Sequence, residues 1–515
     1  MLEHLLAGFA TLMTPITLAA AALGLVGGIF VGALPGLTAT MAVAVLAPFT
    51  FFIDATIGIP FLLGVYKGAI YGGSIPAITI NTPGTAASAA TAIDGNALAN
   101  RGRVRLALET SLFASVLADL LSTVVLILVA APLASIAISF GSSEFVLLYL
   151  FALTLIAGVS GNDFVKGLLS AAGGLLLAVI GLDPMTGFQR FTFGVTDLLQ
   201  GISLVPLLIG MFALSEILIQ AENGAAKSQG MDRLGGRGLS WRQARSLLPV
   251  SLRSTGIGTF LGALPGLGAE ISCWISYGVA KRRSRRPQQF GKGSLSGICA
   301  AEAGNNAVVP AALIPMMVFG IPGDTITAVL LGAFMAHDLM PGPLLFERAP
   351  DLMYGFFAIL LVTNIMLIAF GLLAIRHLRH INRIPQGLLY PAVVVLCFAG
   401  AFSVNNSSFD LVIMLAGGVL GYGMRKTGVP IPPLVIALLL APGLENALRQ
   451  TLLLSNGSLS IFVTRPISLV LLSLLVLSIV VMIWRYVAIQ REAAQDAVSP
   501  QMPPAQTPSK VSSQE

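Results

Sequence analysis

The chain has 515 residues, of which 56% are hydrophobic and only 10% are charged. Soluble domains carry about a quarter charged residues, so this composition excludes a mostly water-facing surface and predicts an integral membrane protein. The formal net charge of +6 does not indicate nucleic-acid binding. The basic residues lie in short loops between apolar runs, where they set the orientation of a membrane protein.

Apolar runs that approach or reach membrane-spanning length recur along the whole chain. A helix needs ~20 apolar residues to cross the hydrocarbon core, and such runs are 106–131, 143–158, 201–220, 352–375 and 464–484. Their apolar residues are continuous and do not alternate as barrel strands would. We therefore predict an all-α protein with about 10–12 transmembrane helices.

Four segments follow from the distribution of apolar and basic residues. Residues 1–220 form a first transmembrane repeat, and 221–253 form a basic linker placed on the cytoplasmic side. Residues 254–487 form a second repeat. The tail, 488–515, is polar and rich in Pro, Gln and Ser, which predicts disorder.

An internal duplication is the main organisational feature. Gly32–Leu37 (GALPGL) recurs letter for letter as Gly262–Leu267. Downstream, Ile75–Thr85 (IPAITINTPGT) corresponds to Ile314–Asp324 (IPMMVFGIPGD), at nearly the same offset. In both, two prolines stand seven residues apart and the second precedes glycine. Two motifs in the same order indicate duplication and not coincidence.

The basic residues indicate that the two copies are inverted. The loop Lys281–Arg286 separates the two motifs of the second copy, whereas its counterpart, Phe51–Asp54, has no basic residue. Conversely, three arginines lie in Arg101–Arg105, whereas the counterpart 341–350 carries only one. Corresponding loops of opposite character belong on opposite membrane faces, which predicts inverted repeats.

The Pro-Gly pairs predict broken helices or re-entrant hairpins. Residues 254–280 lie between two basic segments and are too short for two full spans, with Pro265-Gly266 in the middle. Irregular backbone at membrane depth survives only inside protein or beside a wet cavity. Each break leaves free N–H groups at the positive start of the next half-helix, which suits a carboxylate.

Residues at and near these breaks are the candidate substrate-binding residues. They are Pro35, Gly36, Thr38, Ser74, Asn81, Thr82, Gly84 and Thr85 in the first half, and Gly266, Asn305, Asn306, Gly323, Asp324 and Thr325 in the second. The alternative is that the breaks are only kinks, with hydroxyls bonded to backbone. Four breaks in two matched pairs favour a site. Na⁺ is a candidate ligand near Asn81, Asn305 and Asn306, and no other metal-ligand spacing is present.

Four charged residues are candidate ion or charge partners. Lys67 lies well inside an apolar segment, so it faces a substrate carboxylate, pairs with an acidic residue, or snorkels to the interface. Asp119 lies on a stripe of small polar residues, which fits either ion coupling or helix packing. Glu270 follows a Pro-Gly break, where it binds a cation, is protonated, or caps the half-helix. Glu302 is the fourth candidate.

From about residue 15 to 485, the chain resembles the large membrane subunit of the tripartite tricarboxylate transporter family. The motifs that carry the resemblance are the two copies of GALPGL and the segments Tyr71–Ser74, Asn81–Thr85, Asp94-Gly95, Glu302–Ala307, Gly320–Gly323 and Pro341–Pro343. The chain departs from the family pattern at Asp324, where a small or hydroxyl residue is expected.

The resemblance implies a multi-pass protein of the bacterial inner membrane, not an enzyme, that imports organic anions such as tri- or dicarboxylates. Its partners would be a periplasmic solute-binding protein and a small four-span membrane subunit. Transport would be ion-driven, with Na⁺ or H⁺ as the coupling ion and no cofactor. The breaks themselves suggest elevator-type motion.

Three alternatives differ in mechanism. A stand-alone carboxylate carrier would need no binding protein. An intramembrane enzyme would need a nucleophile–base pair or a metal set, whereas the histidines lie at ends or in loops and are His4, His337, His377 and His380. A channel is disfavoured because rings of repeated charge are missing from the sequence.

Overall fold

The computed structural model describes residues 2–159, 164–223, 236–377 and 386–498, and these are almost entirely helical. Within them, eight helices are long and apolar enough to cross a membrane, and four apolar helices are shorter. The all-α membrane class is confirmed. The number of long helices in the described part is lower than 10–12 because the Pro-Gly breaks divide other apolar runs into shorter helices.

The helices of the first half lie between Leu2 and Asn223. They are α1 (Leu2–Leu12), α2 (Pro15–Ala33), α3 (Ala39–Thr50), α4 (Ala55–Gly72), α5 (Ser74–Ile80), α6 (Ala89–Ala99), α7 (Val104–Ile138), α8 (Ser142–Val159), α9 (Phe164–Ala178), α10 (Leu204–Leu208) and α11 (Ser215–Asn223). A π-helical turn, Ile209–Leu214, joins the last two, and two short strands, β1 (Gly181–Leu182) and β2 (Gln189–Arg190), form a hairpin before them.

The helices of the second half begin at Trp241. They are α12 (Trp241–Gly262), α13 (Gly268–Arg283), α14 (Leu295–Asn306), α15 (Val308–Phe319), α16 (Thr325–Ala336), α17 (Pro343–Arg348), α18 (Pro350–Arg376), α19 (Gln386–Asn405), α20 (Ser408–Thr427), α21 (Ile431–Leu454), α22 (Ile461–Thr464) and α23 (Pro466–Val498).

Glycines at every fourth residue bring α2 and α4 into backbone contact. A Cβ added at Gly28 would lie 2.3 Å from the Val65 carbonyl oxygen, and one added at Gly68 would lie 2.2 Å from that of Leu25. Only glycine allows this approach, which is the small-residue packing typical of membrane helices. The contact fixes the position of α4, which carries Tyr66 and Lys67.

The two copies of the repeated motifs share their backbone geometry. Gly36 and Gly266 each follow the proline of a GALPGL motif, and both adopt a left-handed φ, of 87° and 85°. Asn81 and Gly320 occupy equivalent positions and end α5 and α15 in the left-handed conformation. The duplication therefore extends to local structure, while inversion of the halves across the membrane stays a prediction.

Each half places its long helix against the other half. Helix α7 packs on α14 and α15, whereas α18 packs on α2 and α4. The largest hydrophobic cluster contains buried residues of both halves, among them Leu63, Leu126, Leu313 and Phe356. The halves consequently form one interlocked core.

The basic segments gather on one face. Asp94 Oδ1 accepts backbone hydrogen bonds from Gly291, Gly293 and Ser294, at 2.8–2.9 Å, which brings the segment after the 281–286 loop against α6. Leu239, in the segment before α12, donates a 2.6 Å backbone hydrogen bond to Glu109, one turn beyond Arg105. This clustering agrees with the placement of all three segments on one side of the membrane.

The β1–β2 hairpin precedes the α10–α11 span, at the end opposite Asn223. An ion-pair cluster anchors this hairpin to α21. Arg449 Nη2 of α21 lies 2.6 Å from Asp183 Oδ2, and Arg190 Nη1 lies 2.8 Å from Glu445 Oε1. The hydrogen bond from Arg449 holds the pKa of the Asp183 carboxyl well below its usual range.

Helix extends into parts of the predicted linker and of the predicted tail, and the division of the chain into four segments stays a prediction. Helix α12 begins at Trp241, because Ser240 and Gln243 form a capping box, so 241–253 is helical and the first arm of the α12–α13 hairpin is longer than predicted. Helix α23 continues to Val498, because Ala, Gln, Glu and Arg favour helix beyond the apolar span. Residues 224–235 and 499–515 lie outside the described residues.

Candidate functional site

A cavity of about 510 Å³ lies where the Pro-Gly breaks of both halves meet. Its lining includes Thr38, Ala39 and Thr40 after the first break, Thr85, Ala86 and Ala87 after the second, Gly266 to Ile271 at the third, and Asp324, Thr325 and Ile326 after the fourth. Most of the remaining wall is apolar. Segments far apart in sequence thus share one cavity, with the starts of the following helices around it.

The first half contributes neutral helix caps to this cavity. Thr38 is the N-cap of α3, and its Oγ1 accepts a 3.2 Å hydrogen bond from the Met41 backbone N–H. Thr85 forms a capping box with Ser88 at the turn that leads into α6. Threonine is a preferred N-cap because its hydroxyl satisfies an N–H that has no partner in the helix. Both hydroxyls lie beside positive helix ends.

The second half contributes carboxylates at the matching positions. Asp324 is the N-cap of α16, and its Oδ1 accepts a 2.8 Å hydrogen bond from the Thr327 backbone N–H. Its Oδ2 accepts a 2.8 Å hydrogen bond from the Tyr66 hydroxyl of α4. Glu270 lies in the first turn of α13. These carboxylates offset the positive helix ends on this side of the cavity.

The two breaks of the second half are joined directly. The Gly266 backbone N–H donates a 2.8 Å hydrogen bond to the Gly323 carbonyl oxygen. A Cβ at Gly266 would lie 2.6 Å from Ile156, and one at Gly323 would lie 2.7 Å from the Ala312 backbone. Glycine at these positions therefore permits the tight approach of the two loops to α8 and α15.

Arg425 is a cavity residue that sequence analysis missed. It lies near the end of α20, lines the cavity, and pairs through Nη1 with Glu216, whose carboxylate is largely buried. The sequence showed it only as one of two adjacent basic residues that mark the cytoplasmic side. In the sequence it lies four and five residues before Val429 and Pro430, which also line the cavity. This short spacing is the signal that could have identified it.

Five predicted substrate-binding residues line the cavity. Thr38, Thr85, Gly266, Asp324 and Thr325 are all part of the lining. Pro35 and Gly36 belong to the first break but lie outside this lining, with Gly36 close to Tyr390 and Gln220. Gly84 and Gly323 are buried in the loops themselves.

Asn81 and Thr82 lie away from the predicted site. Both are exposed at the end of α5, where Asn81 adopts a left-handed φ of 55°. Asparagine tolerates that conformation, so its place in the motif reflects a helix ending. Asn81 is exposed whereas Asn305 and Asn306 are buried in α14, and a Na⁺ site near these three residues stays a prediction.

Ser74, Asn306 and Glu302 form a separate buried network. Glu302 is fully buried; its Oε1 accepts hydrogen bonds from Ser74 (2.7 Å) and Thr91, and its Oε2 accepts from Ser115 (3.1 Å) and Asn306 (3.3 Å). Several donors satisfy a carboxylate without a salt bridge. The network joins α5, α6, α7 and α14.

Asn305 is a predicted site residue that belongs neither to the cavity lining nor to this network. Its side chain is fully buried, and within the described residues its Oδ1 and Nδ2 have no hydrogen-bond partner. A buried amide is normally satisfied. Among the described residues, no group of three or more His, Cys, Asp or Glu side chains could hold a metal ion.

Lys67 and Asp119 pair with each other. Lys67 Nζ lies 2.8 Å from Asp119 Oδ2, and the two side chains are 0% and 3% exposed. This burial excludes a snorkelling lysine, and it makes Asp119 the acidic partner that the sequence left open.

The comparisons with known proteins agree with this architecture. The model of the tripartite tricarboxylate transporter TctA family matches residues 18–436. A relative from Agrobacterium vitis, named as an uncharacterized 52.8 kDa protein in the TAR-I ttuC' 3' region, is 35% identical over 473 residues, 92% of this chain and 94% of the relative.

A second relative from Agrobacterium vitis, named as an uncharacterized protein in the TAR-II ttuC' 3' region, is 35% identical over 217 residues, 42% of this chain and 90% of the relative. No solved structure matches. Since the family match spans most of the chain and the fold is that of a multi-pass membrane protein, this chain belongs to the tripartite tricarboxylate transporter TctA family of membrane transport proteins.

Proposed function

We propose that this chain is the substrate-translocating subunit of a binding-protein-dependent, ion-coupled transporter that imports organic anions such as tri- or dicarboxylates. The observation that carries the proposal is that segments adjoining all four Pro-Gly breaks line one cavity. Broken helices that meet between repeats are the usual sites of secondary transporters, since their free ends bind ions without fixed countercharges.

A carboxylate of the substrate binds on the first-half side of the cavity. There a neutral threonine caps α3, and another caps the short turn Ala86–Ser88 that leads into α6, so the positive helix ends are not offset by a side-chain charge. Arg425 adds a guanidinium that suits a carboxylate. Glu270 and Asp324 disfavour a second carboxylate on the other side unless a cation accompanies it.

The coupling ion, Na⁺ or H⁺, reduces that negative charge. Binding of a proton or cation near Glu270 or Asp324 makes the cavity more favourable for an anion, which links the two binding events. Motion of the cavity-forming hairpins against the surrounding helices would then expose the site to the other side, in an elevator-type movement.

The partners are a periplasmic solute-binding protein and a small four-span membrane subunit, in the bacterial inner membrane. This part of the proposal is supported by family membership. The stand-alone carrier is the competing function, because the cavity is formed entirely by this chain.

Reconstitution distinguishes the two. Proteoliposomes containing this chain, the small subunit and the binding protein encoded beside it are tested with radiolabelled citrate, tartrate and succinate. We expect uptake of at least one acid, dependent on an imposed Na⁺ or H⁺ gradient and lost when any protein is omitted. Equal uptake by this chain alone would favour the stand-alone carrier, and currents independent of a gradient would favour a channel.

A further inference from the structure

The ammonium of Lys67 lies among three oxygen atoms at the buried junction of α4, α7 and α18. Its Nζ is 2.8 Å from Asp119 Oδ2, 2.7 Å from the Leu360 carbonyl oxygen and 3.1 Å from Thr363 Oγ1. The Lys67 side chain is fully buried. The three acceptors match the three donors of an ammonium, so its hydrogen-bonding capacity is used completely.

The residues around Lys67 carry more oxygen atoms than the three that accept hydrogen bonds from its ammonium. The Leu360 carbonyl also accepts hydrogen bonds from Thr363 Oγ1 and Asn364 Nδ2, at 3.0 and 3.1 Å. Within the described residues, Asp119 Oδ1 and Asn364 Oδ1 are buried without a hydrogen-bond partner. One carboxylate, one carbonyl, one hydroxyl and nearby free oxygens resemble the ligand set of a hard cation.

Charge balance favours a cation at this position. Asp119 lies in the middle of a long apolar helix, where an isolated carboxylate is strongly disfavoured. Removing one partner of a buried ion pair leaves the other charge uncompensated. A lysine ammonium is a compact point charge on a flexible stem, so it can occupy the place of a monovalent ion.

We propose that Lys67 is a tethered cation that fills a monovalent-cation site formed by Asp119, the Leu360 carbonyl and Thr363. Without the amine, the same oxygens bind Na⁺. The site in this chain is consequently occupied at all times and independent of external ions, and a mobile coupling ion in the proposed transport would bind elsewhere. The inference concerns binding alone and does not depend on which substrate is carried.

The test measures thermal unfolding of the purified full-length protein in detergent, in NaCl and in choline chloride of equal ionic strength. We expect Lys67→Ala to unfold at a lower temperature than the parent in choline, and Na⁺ to raise its midpoint by about 2–3 °C, with a further rise that follows the logarithm of the Na⁺ concentration. The parent midpoint should be the same in both salts, because its site already holds the ammonium.

Two matched variants separate a cation site from a structural ion pair. Lys67→Met fills the space and should be destabilised without recovery in Na⁺. The Lys67→Ala, Asp119→Asn double variant lacks the charged ligand and should not respond to Na⁺. A Lys67→Ala midpoint equal in both salts, or an equal Na⁺ response in the double variant, would overturn the proposal. A third protein, the Lys67→Met, Asp119→Asn double variant, has neither charge. If it folds while Lys67→Ala fails to fold in either salt, the proposal would also be overturned.

Discussion

Asp324 and Thr85 occupy equivalent positions in the two repeats, yet one brings a carboxylate to the cavity and the other a neutral hydroxyl. Each is an N-cap that forms a capping box with the residue three positions later. The backbone requirement is therefore the same, and serine, threonine and aspartate all meet it. Only the charge differs, so the choice of aspartate reflects the chemistry of the cavity and not the stability of α16.

Substitution of Asp324 separates these two contributions. Asp324→Ser should keep the cap but lose the acceptor of the Tyr66 hydroxyl, whereas Asp324→Ala loses both and should be less stable than Asp324→Ser by about 1 kcal/mol. Both should lose most gradient-driven uptake, because the carboxylate is absent in each. Unfolding midpoints and proteoliposome uptake, measured together, check this. Parental uptake in both variants would leave Asp324 with a structural function alone.

Arg425 presents the guanidinium that the cavity offers to an anion. Replacement by glutamine should raise the KM for uptake about ten-fold, since a charge-assisted hydrogen bond contributes roughly 1.5–3 kcal/mol. Lys426→Gln is the matched control, because Lys426 is the next residue, is exposed and pairs with Glu222. An unchanged KM for Arg425→Gln, or equal effects of both substitutions, would place the anion elsewhere.

At the scale of elements, the positions of the breaks could be predicted and their contacts could not. Proline and glycine act through local backbone geometry, so the interruptions after Gly32 and Gly262 are visible in sequence. The contact of Tyr66 with Asp324, and that of Ser74 with Glu302, join residues from different halves of the chain. Such pairs depend on how helices cross, which short-range patterns do not encode.

The same limit explains the misplaced residues. Asn81 was predicted as a ligand because it precedes Thr82-Pro83-Gly84, but that position ends α5 in a left-handed conformation. The linker prediction did not reveal the start of α12, because arginines mark a cytoplasmic side whether they lie in a loop or on the exposed face of a helix. The charge pattern therefore leaves the start of the helix open, and the side of the membrane on which these segments lie stays a prediction.

The glycine contact between α2 and α4 offers a test at this scale. Gly28→Ala should lower stability by about 2 kcal/mol, because its Cβ would lie 2.3 Å from the Val65 carbonyl oxygen and the core would be overpacked. Gly27→Ala is the control, since nothing lies within 4 Å of its added Cβ, and a helical Gly→Ala change there should be neutral or slightly stabilising. Equal unfolding midpoints in detergent would contradict a direct backbone contact.

At the scale of the whole molecule, two related halves form one cavity that neither could form alone. The crossed packing of α7 and α18 on the opposite halves holds the hairpins in place. A pocket whose walls come from both repeats is suited to alternate between the two sides, provided that its hairpins move relative to that core. Inversion of the repeats across the membrane would supply the matching second state.

Cysteine labelling measures whether this cavity is the substrate site. The native cysteines, Cys273, Cys299 and Cys397, are all buried, so background reaction should be low. Thr38→Cys and Thr325→Cys place a thiol in the cavity from the two halves, whereas Asn81→Cys is exposed outside it. Each variant is treated with a hydrophilic maleimide in proteoliposomes, with and without the acid that supports uptake.

The account predicts that both cavity thiols react and that the transported acid slows their reaction, while Asn81→Cys reacts at the same rate with or without it. Cavity thiols that never react, or that react without protection in protein that still transports, would contradict a shared cavity as the site of translocation.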